Sequence, residues 1–287
     1  MKKFALTAAL IATVFSGTAL SGQANSSTEK KLTNIEKTIA LVNSFATGDT
    51  TIAKVYLAEN YIQHNLAYAT GRDAFVEAVE YLAAAPIKTT VKNVRAFEDG
   101  DYVFLHSIYN FAGTGEQVAF DVFRFEKGKI AEHWDNLAPL APANPSGHTQ
   151  TDGPAEATDL GRTEANKALC EQFVKDVLMG QNTAALASYF AGDTYIQHNV
   201  HIADGLSGLG TALTAMAKAG VEMKYDKIHM ILGQGNFVLA VSEGTFGGAP
   251  TSYYDLWRVE NGKIAEHWDV METIPEKDAW ANQNGKF

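Results

Sequence analysis

The sequence predicts an α+β protein built from two copies of one domain, and three observations lead there. Y-I-Q-H-N at residues 61–65 recurs unchanged at 195–199, a shift of 134 positions. D-V-F-R-F-E-K-G-K-I-A-E-H-W-D at 121–135 recurs as D-L-W-R-V-E-N-G-K-I-A-E-H-W-D at 255–269, at the same shift. Within each copy, helical periodicity in the first half gives way to strand-like runs in the second. Two separated motifs at one offset require a duplication. The register slips once between them, where Gly100-Asp101-Tyr102-Val103 aligns with Gly235-Asn236-Phe237-Val238 at 135. So long a period describes whole domains, not solenoid units.

Each copy opens with a helix. In the first, Thr33 is placed as a cap with Glu36 completing a capping box. Ile35, Ile39, Leu41, Val42 and Phe45 form the apolar stripe, and Gly48 ends it. In the second copy Thr163 caps, the helix runs through Leu178, and Gly180 ends it. A short second helix leads into each Y-I-Q-H-N segment, and a third spans 72–84, matching 206–218. Four strands follow, at 91–97, 102–111, 118–126 and 129–136. Their counterparts are 223–232, 237–246, 252–260 and 263–270. The last two strands of each set form a hairpin, through Lys127-Gly128 and the stronger turn signal Asn261-Gly262. A two-residue loop without irregularity would place Asp121 opposite Trp134, Phe123 opposite Glu132 and Val122 opposite His133. The same reasoning places Asp255 opposite Trp268, Trp257 opposite Glu266 and Leu256 opposite His267.

The domains are therefore expected at 25–138 and 161–287, the second with a C-terminal tail. Residues 139–160, rich in Pro, Gly, Ser and Thr, are the expected linker. Residues 1–24 read as a bacterial export signal. Lys2 and Lys3 precede an apolar run from Phe4 to Phe15, too short to span a bilayer, and Gly22 and Ala24 suit the cleavage site. Secretion to the periplasm or medium is the expectation. Losing two lysines takes the formal charge from −10 to −12. Such an acidic chain is a poor partner for nucleic acid. No later segment is apolar enough to predict a membrane span. The single cysteine, Cys170, sits in an apolar helical stretch and is expected to be a buried hydrophobe.

Helices, Y-I-Q-H-N, a further helix, then strands closing in D-x-[FW]-R-x-x-x-G-K-I-x-E-H-W-D resemble the SnoaL-like polyketide cyclases of the nuclear transport factor 2-like superfamily. The resemblance covers nearly all of the chain after residue 24, once per copy. It implies cone-shaped domains, each with about three helices on a curved antiparallel sheet around an apolar pocket. Relatives include isomerases, dehydratases and epoxide hydrolases as well as binding or scaffold domains, so the fold alone gives no activity.

Asp121 and Asp255 are the leading candidate acid/base residues. Each lies in an apolar strand on the same face as Phe123 or Trp257, where desolvation raises a carboxylate pKa. The resemblance implies the same role for the aspartate before the aromatic-arginine pair. A solvated strand-edge aspartate paired with Arg124 or Arg258 is the plainer reading. His64 and His198 are candidate assisting residues at the pocket mouth. The alternative is a core histidine bonded to backbone, with the adjoining asparagine in an Asx-type turn. Tyr61, Asn65, Tyr195 and Asn199 flank them as candidate binding residues. Trp134, Trp257 and Trp268 are expected pocket walls. His106 and Asp204 are polar family positions that each copy keeps differently: His106 aligns with Val241, and Asp204 with Thr70. His133 with Asp135, and His267 with Asp269, offer only one or two metal ligands by alternation, fewer than zinc needs. No metal is therefore expected, and no organic-cofactor, serine-hydrolase or NTPase motif is present.

The expected function is binding of a small apolar molecule, with acid/base cyclisation, isomerisation or dehydration as the chemistry if there is turnover. A non-catalytic secreted binding or interaction protein is the other reading. The two copies are expected to pair with each other as an intrachain pseudo-dimer.

Overall fold

The computed structural model describes residues 32–287; the expected export signal lies outside the described residues. In the first copy, α1 (Asn34–Thr47) and α2 (Thr50–Tyr56) lead into β1 (Leu57–Gln63), followed by α3 (Arg72–Ala84). Then come β2 (Thr90–Asp99), β3 (Tyr102–Asn110), β4 (Gln117–Glu126) and β5 (Lys129–Pro139). The second copy runs α4 (Thr163–Phe173), β6 (Ile196–Gln197), α5 (Gly205–Lys218), β7 (Met223–Gln234), β8 (Phe237–Phe246), β9 (Ala249–Glu260) and β10 (Lys263–Thr273).

Local chemistry accounts for these ends. Thr33 and Glu36 form the capping box, and Gly48 closes α1 in the left-handed region. In the second copy Thr163 is the first helical residue rather than the cap, and its hydroxyl accepts from the Gly235 amide. A π-helical turn from Val174 to Leu178 extends α4. A 3-10 segment, Thr183–Tyr189, stands where the first copy has α2.

Each sheet has five strands, ordered β1-β5-β4-β3-β2 and β6-β10-β9-β8-β7. Four strands form an antiparallel meander. The Y-I-Q-H-N strand adds in parallel to the last one, Gln63 beside His133 and Gln197 beside His267. The sheets are thus mixed rather than purely antiparallel.

Both hairpin turns have two residues at positive φ, Lys127-Gly128 and Asn261-Gly262, as type I′ turns require. One step beyond each turn the expected register fails. Phe125 pairs with Ile130, but Arg124 pairs with Glu132, so Ala131 is an extra residue in β5. Ala265 is its counterpart in β10, between Ile264 and Glu266. These β-bulges shift every later pairing by one and exchange the faces. Asp121 therefore pairs with Asp135, Phe123 with His133 and Val122 with Trp134. Likewise Asp255 pairs with Asp269, Trp257 with His267 and Leu256 with Trp268.

The exchange of faces decides the architecture. One face of each sheet packs on its own helices. The first such core includes Leu41, Phe75, Val79, Leu105 and Phe123; the second includes Cys170, Phe173, Tyr253 and Trp257. The opposite faces share a single core, with Phe104, Phe120, Val122 and Trp134 from one copy and Leu239, Tyr254, Leu256 and Trp268 from the other. The pseudo-dimer is sewn together by buried Asn136, whose side-chain amide donates to the Ser252 and Val270 carbonyls.

The segments after β5 and β10 each cross to the other copy. Asn144 donates to the carbonyls of Gln197 and Ile202 in the second copy. Asn282, near the C-terminus, donates to those of Asn65 and Tyr68 in the first. The expected linker segment thus makes crossing contacts that the C-terminal segment repeats in the other direction.

Candidate functional site

The first copy encloses a cavity of about 590 Å³ between its helices and the concave face of its sheet. Phe45, Phe75, Phe111 and Phe123 supply apolar wall, with Tyr68 and Tyr81 at the exposed side. The floor is polar: Tyr61, Gln63, Tyr109, Asp121, His133 and Asp135 all line it. A volume of this size suits a drug-sized molecule.

The bulge at Ala131 assembles this floor, because it turns His133 and Asp135 to the face that already holds Asp121. His133 Nε2 lies 3.1 Å from Asp121 Oδ1, and its Nδ1 lies 3.0 Å from Gln63 Oε1. Tyr109 donates its hydroxyl to Asp121 Oδ2 at 2.9 Å. Asn65 donates to Asp135 Oδ2 at 2.9 Å, while Asp135 Oδ1 is buried with no hydrogen-bond partner. Phe123 stacks on the His133 ring, centroids 4.3 Å apart. Burial raises the Asp121 carboxyl above the usual carboxylate range, against the hydrogen bond from His133. Burial, with Asp121's charge, also pushes the Tyr109 phenol well up.

The second copy repeats the polar group. His267 Nε2 is 2.9 Å from Asp255 Oδ1, its Nδ1 is 3.1 Å from Gln197 Oε1, and Asn199 donates to Asp269 Oδ2. Burial opposes a charged His267, but the bond to Asp255 and the charges of Asp269 and Asp255 outweigh it and raise its pKa. Burial raises Asp269 too. In each copy, therefore, burial disfavours the charged form of one carboxylate of a carboxylate–imidazole–carboxylate group.

The surroundings differ. Tyr253 stands at the Ala119 position, fully buried and stacked on Tyr225 with centroids 4.1 Å apart. Tyr225, on β7, donates to Asp255 Oδ2 as Tyr109, on β3, does to Asp121. Tyr253 thus fills space on the concave face that Ala119 leaves open.

The structure redistributes the residues singled out from sequence. Asp121, Tyr61 and Asn65 meet at the first floor, and Asp255, Tyr195, Asn199 and Trp257 at the second, where Trp257 stacks near His267. His64 and His198 lie on the opposite face. Each stacks on Trp134 or Trp268, at 4.7 and 4.5 Å. Their Nε2 atoms meet Glu132 and Glu266, and their Nδ1 atoms meet carbonyls of the crossing arms, Gly285 and Thr149. Arg124 and Arg258 complete the chain by binding the same glutamates. The Arg and Glu of the closing motif, with the His of Y-I-Q-H-N, are accordingly a clamp on the arms.

Trp134 and Trp268, expected beside the aspartates, line the intercopy core because the bulges exchange the faces. His106 is there too. It accepts from Arg95, which lies over Trp268 at 4.2 Å, and burial with that guanidinium pushes its pKa well below the usual value. Asp204 accepts the Gln197 amide through Oδ1, as the Thr70 hydroxyl accepts the Gln63 amide. The two residues thus share that contact, and Asp204 adds one to His148 Nε2 at 3.1 Å. Cys170 is fully buried, and burial pushes its thiol well up.

Sequence reading missed His133, His267, Gln63 and Gln197 as floor residues, for want of the bulge. It also missed a weaker repeat in the arms, Ala143-Asn144-x-x-Gly147 and Ala281-Asn282-x-x-Gly285, whose offset is 138.

The family model for the SnoaL-like domain matches residues 39–133 and again 170–267, together well over half of the chain. The chain belongs to the SnoaL-like family, as two tandem nuclear transport factor 2-like domains. Solved structures align over about the length of one copy. An NTF2-like protein of unknown function from Cytophaga hutchinsonii is 20% identical, covering 39% of this chain and 95% of its own, at a TM-score of 0.33. TsrD from Streptomyces laurentii is 18% identical, covering 37% and 91%, at 0.32. IdmH from Streptomyces antibioticus, described as a candidate polyketide cyclase, is 18% identical, covering 36% and 90%, at 0.31. No curated protein matches the chain.

Proposed function

We propose that the first copy binds a small, largely apolar molecule and presents it to the Asp121–His133–Asp135 floor for proton transfer. Cyclisation, isomerisation and dehydration are the reactions such a floor serves. The single observation carrying this reading is Asp135 Oδ1, a buried carboxylate oxygen without a partner at the end of an apolar cavity. A ligand hydroxyl, or an acidic C–H next to a carbonyl, would supply what that oxygen lacks. Asp121, with both oxygens engaged, sets the charge and position of His133. His64 and His198 act on the arms rather than on the ligand. Export through residues 1–24 is part of the same proposal.

Native mass spectrometry of protein purified from its own host tests this reading. A retained polycyclic or other carbonyl compound, lost in Asp135→Asn, supports it. A cavity that stays empty and ignores a broad apolar panel in thermal-shift assays refutes it. The second reading, a binding or interaction protein without turnover, is favoured by the second copy, where Tyr253 and Tyr225 stack beside an otherwise equivalent polar group. A ligand recovered chemically unchanged after prolonged incubation would select it.

A further inference from the structure

Asp121, His133 and Asp135 each turn one atom toward the others and have the second polar atom tied down. Asn65 donates its backbone amide to Gln63 Oε1 at 2.9 Å, which fixes that atom as the amide oxygen. His133 Nδ1 must therefore be the donor in its contact with Gln63 Oε1. Nε2 is left facing Asp121 Oδ1. The outer oxygens of Asp121 and Asp135 accept from Tyr109 and Asn65. One donor atom from each of Asp121, His133 and Asp135 lies within 4.8 Å of the others.

Electrostatics asks what lies between them. Two carboxylates are buried together, and among the described residues no lysine or arginine lines the cavity. Lys286 approaches from behind but donates to the Asp135 carbonyl and to Glu272. Among these inward atoms a proton or a cation relieves the repulsion between the carboxylates. Metal-binding histidines ordinarily donate their second nitrogen to an oxygen, and ligating carboxylates are themselves hydrogen-bonded. Every one of these outer contacts is present. The 3.1 Å between Nε2 and Asp121 Oδ1, a hydrogen-bond distance, also lies within the roughly 3.0–3.4 Å that separates adjacent octahedral or tetrahedral ligands around a cation bound at about 2.1 Å.

The second copy reaches the same arrangement by a different route. Asn199 fixes Gln197 Oε1, which faces His267 Nδ1, and Asn199 also holds Asp269 Oδ2. The tyrosine on the first aspartate comes from another strand, yet it meets the same carboxylate oxygen.

We infer that Asp121–His133–Asp135 and Asp255–His267–Asp269 are each a site for a first-row divalent cation of borderline hardness, of which Zn²⁺ is the probe. One imidazole and two carboxylates suit such an ion and leave coordination positions open. In the first copy those positions face the cavity, so a water or a ligand carbonyl or hydroxyl completes the shell. The cation site stands without the ligand reading. It deepens that reading by making a metal-bound oxygen the group that exchanges protons.

The experiment is calorimetric titration of the full chain, freed of metal by chelator and dialysis, with Zn²⁺. The expected result is about two equivalents bound with Kd below about 1 µM. Asp135→Asn removes one and Asp269→Asn the other, while His148→Ala keeps both. His148, with Asp152 and His198, is the other His/Asp group of matching spacing among the described residues. Co²⁺ titration of the unsubstituted chain, followed by visible absorption, gives the same stoichiometry if a variant fails to fold. No saturable uptake, or uptake lost only in His148→Ala, overturns the inference. A single equivalent overturns it for the copy whose variant leaves uptake unchanged. Apolar-ligand binding that persists in chelator without Zn²⁺ uptake refutes the cation and leaves the cavity reading standing. Zn²⁺ uptake without ligand binding does the reverse.

Discussion

Tyr253→Ala tests why the two copies differ. Tyr253 is fully buried, stacks on Tyr225 and donates its hydroxyl to the Thr245 carbonyl at 2.7 Å. Replacing a buried large aromatic by alanine costs about 3–5 kcal/mol when the surroundings cannot collapse. The β-strands on either side, each hydrogen-bonded to two neighbours, hold the walls apart. Losing the donor to Thr245 adds about 1 kcal/mol unless water takes its place. For a chain of this size the combined loss lowers Tm by roughly 8–24 °C. The same substitution should open the second cone to an apolar fluorescent probe, so probe stoichiometry rises from about one to about two. Ala119→Tyr, the reciprocal change, should abolish the original site. Differential scanning calorimetry and probe titration are the assays. A loss below about 1 kcal/mol with no new probe site would refute the idea that Tyr253 fills the second cone.

Three further outcomes follow from the geometry. Trp134→Ala should destabilise by about 3–5 kcal/mol in urea melts and leave ligand affinity at the first cavity unchanged, since Trp134 lies in the intercopy core; a large affinity loss would place it in the wall after all. Asn282→Ala leaves the Tyr68 carbonyl without this donor, at about 1–3 kcal/mol, while the Asn65 carbonyl keeps the Tyr68 amide, so amide exchange in residues 280–287 should accelerate; unchanged protection would show that the arm docks by other contacts. Asp121 has a folded pKa raised by burial, so the native state binds the extra proton and its contribution falls as pH rises above the ordinary carboxylate value. His267 has the same sign from about pH 6.5 upward. Stability of Asp121→Asn relative to the unsubstituted chain should therefore improve from pH 4 to pH 8, and a relative decline would reverse the assignment.

Much of the architecture was legible in sequence because it rests on local chemistry. The capping box at Thr33, the glycine closing α1, and the Asn261-Gly262 turn are each set by a few neighbouring residues. The duplication was legible because two motifs kept one offset. The site was only half legible. Asp121 and Asp255, buried polar residues in apolar strands, stood out by period-two alternation. His133 and Asp135 were assigned to the wrong face by the same alternation, since a bulge at an ordinary alanine has no signature in this sequence.

The sequence by itself determined the two-domain α+β plan, the hairpins and the buried aspartates, all properties of short segments. The tertiary structure decided which face each histidine and tryptophan takes, because one inserted residue in a ladder inverts every side chain beyond it. It also decided that the two sheets share a core and that each arm crosses to the other copy. Those outcomes depend on surfaces separated by more than a hundred residues meeting in space, and no local pattern encodes such a meeting.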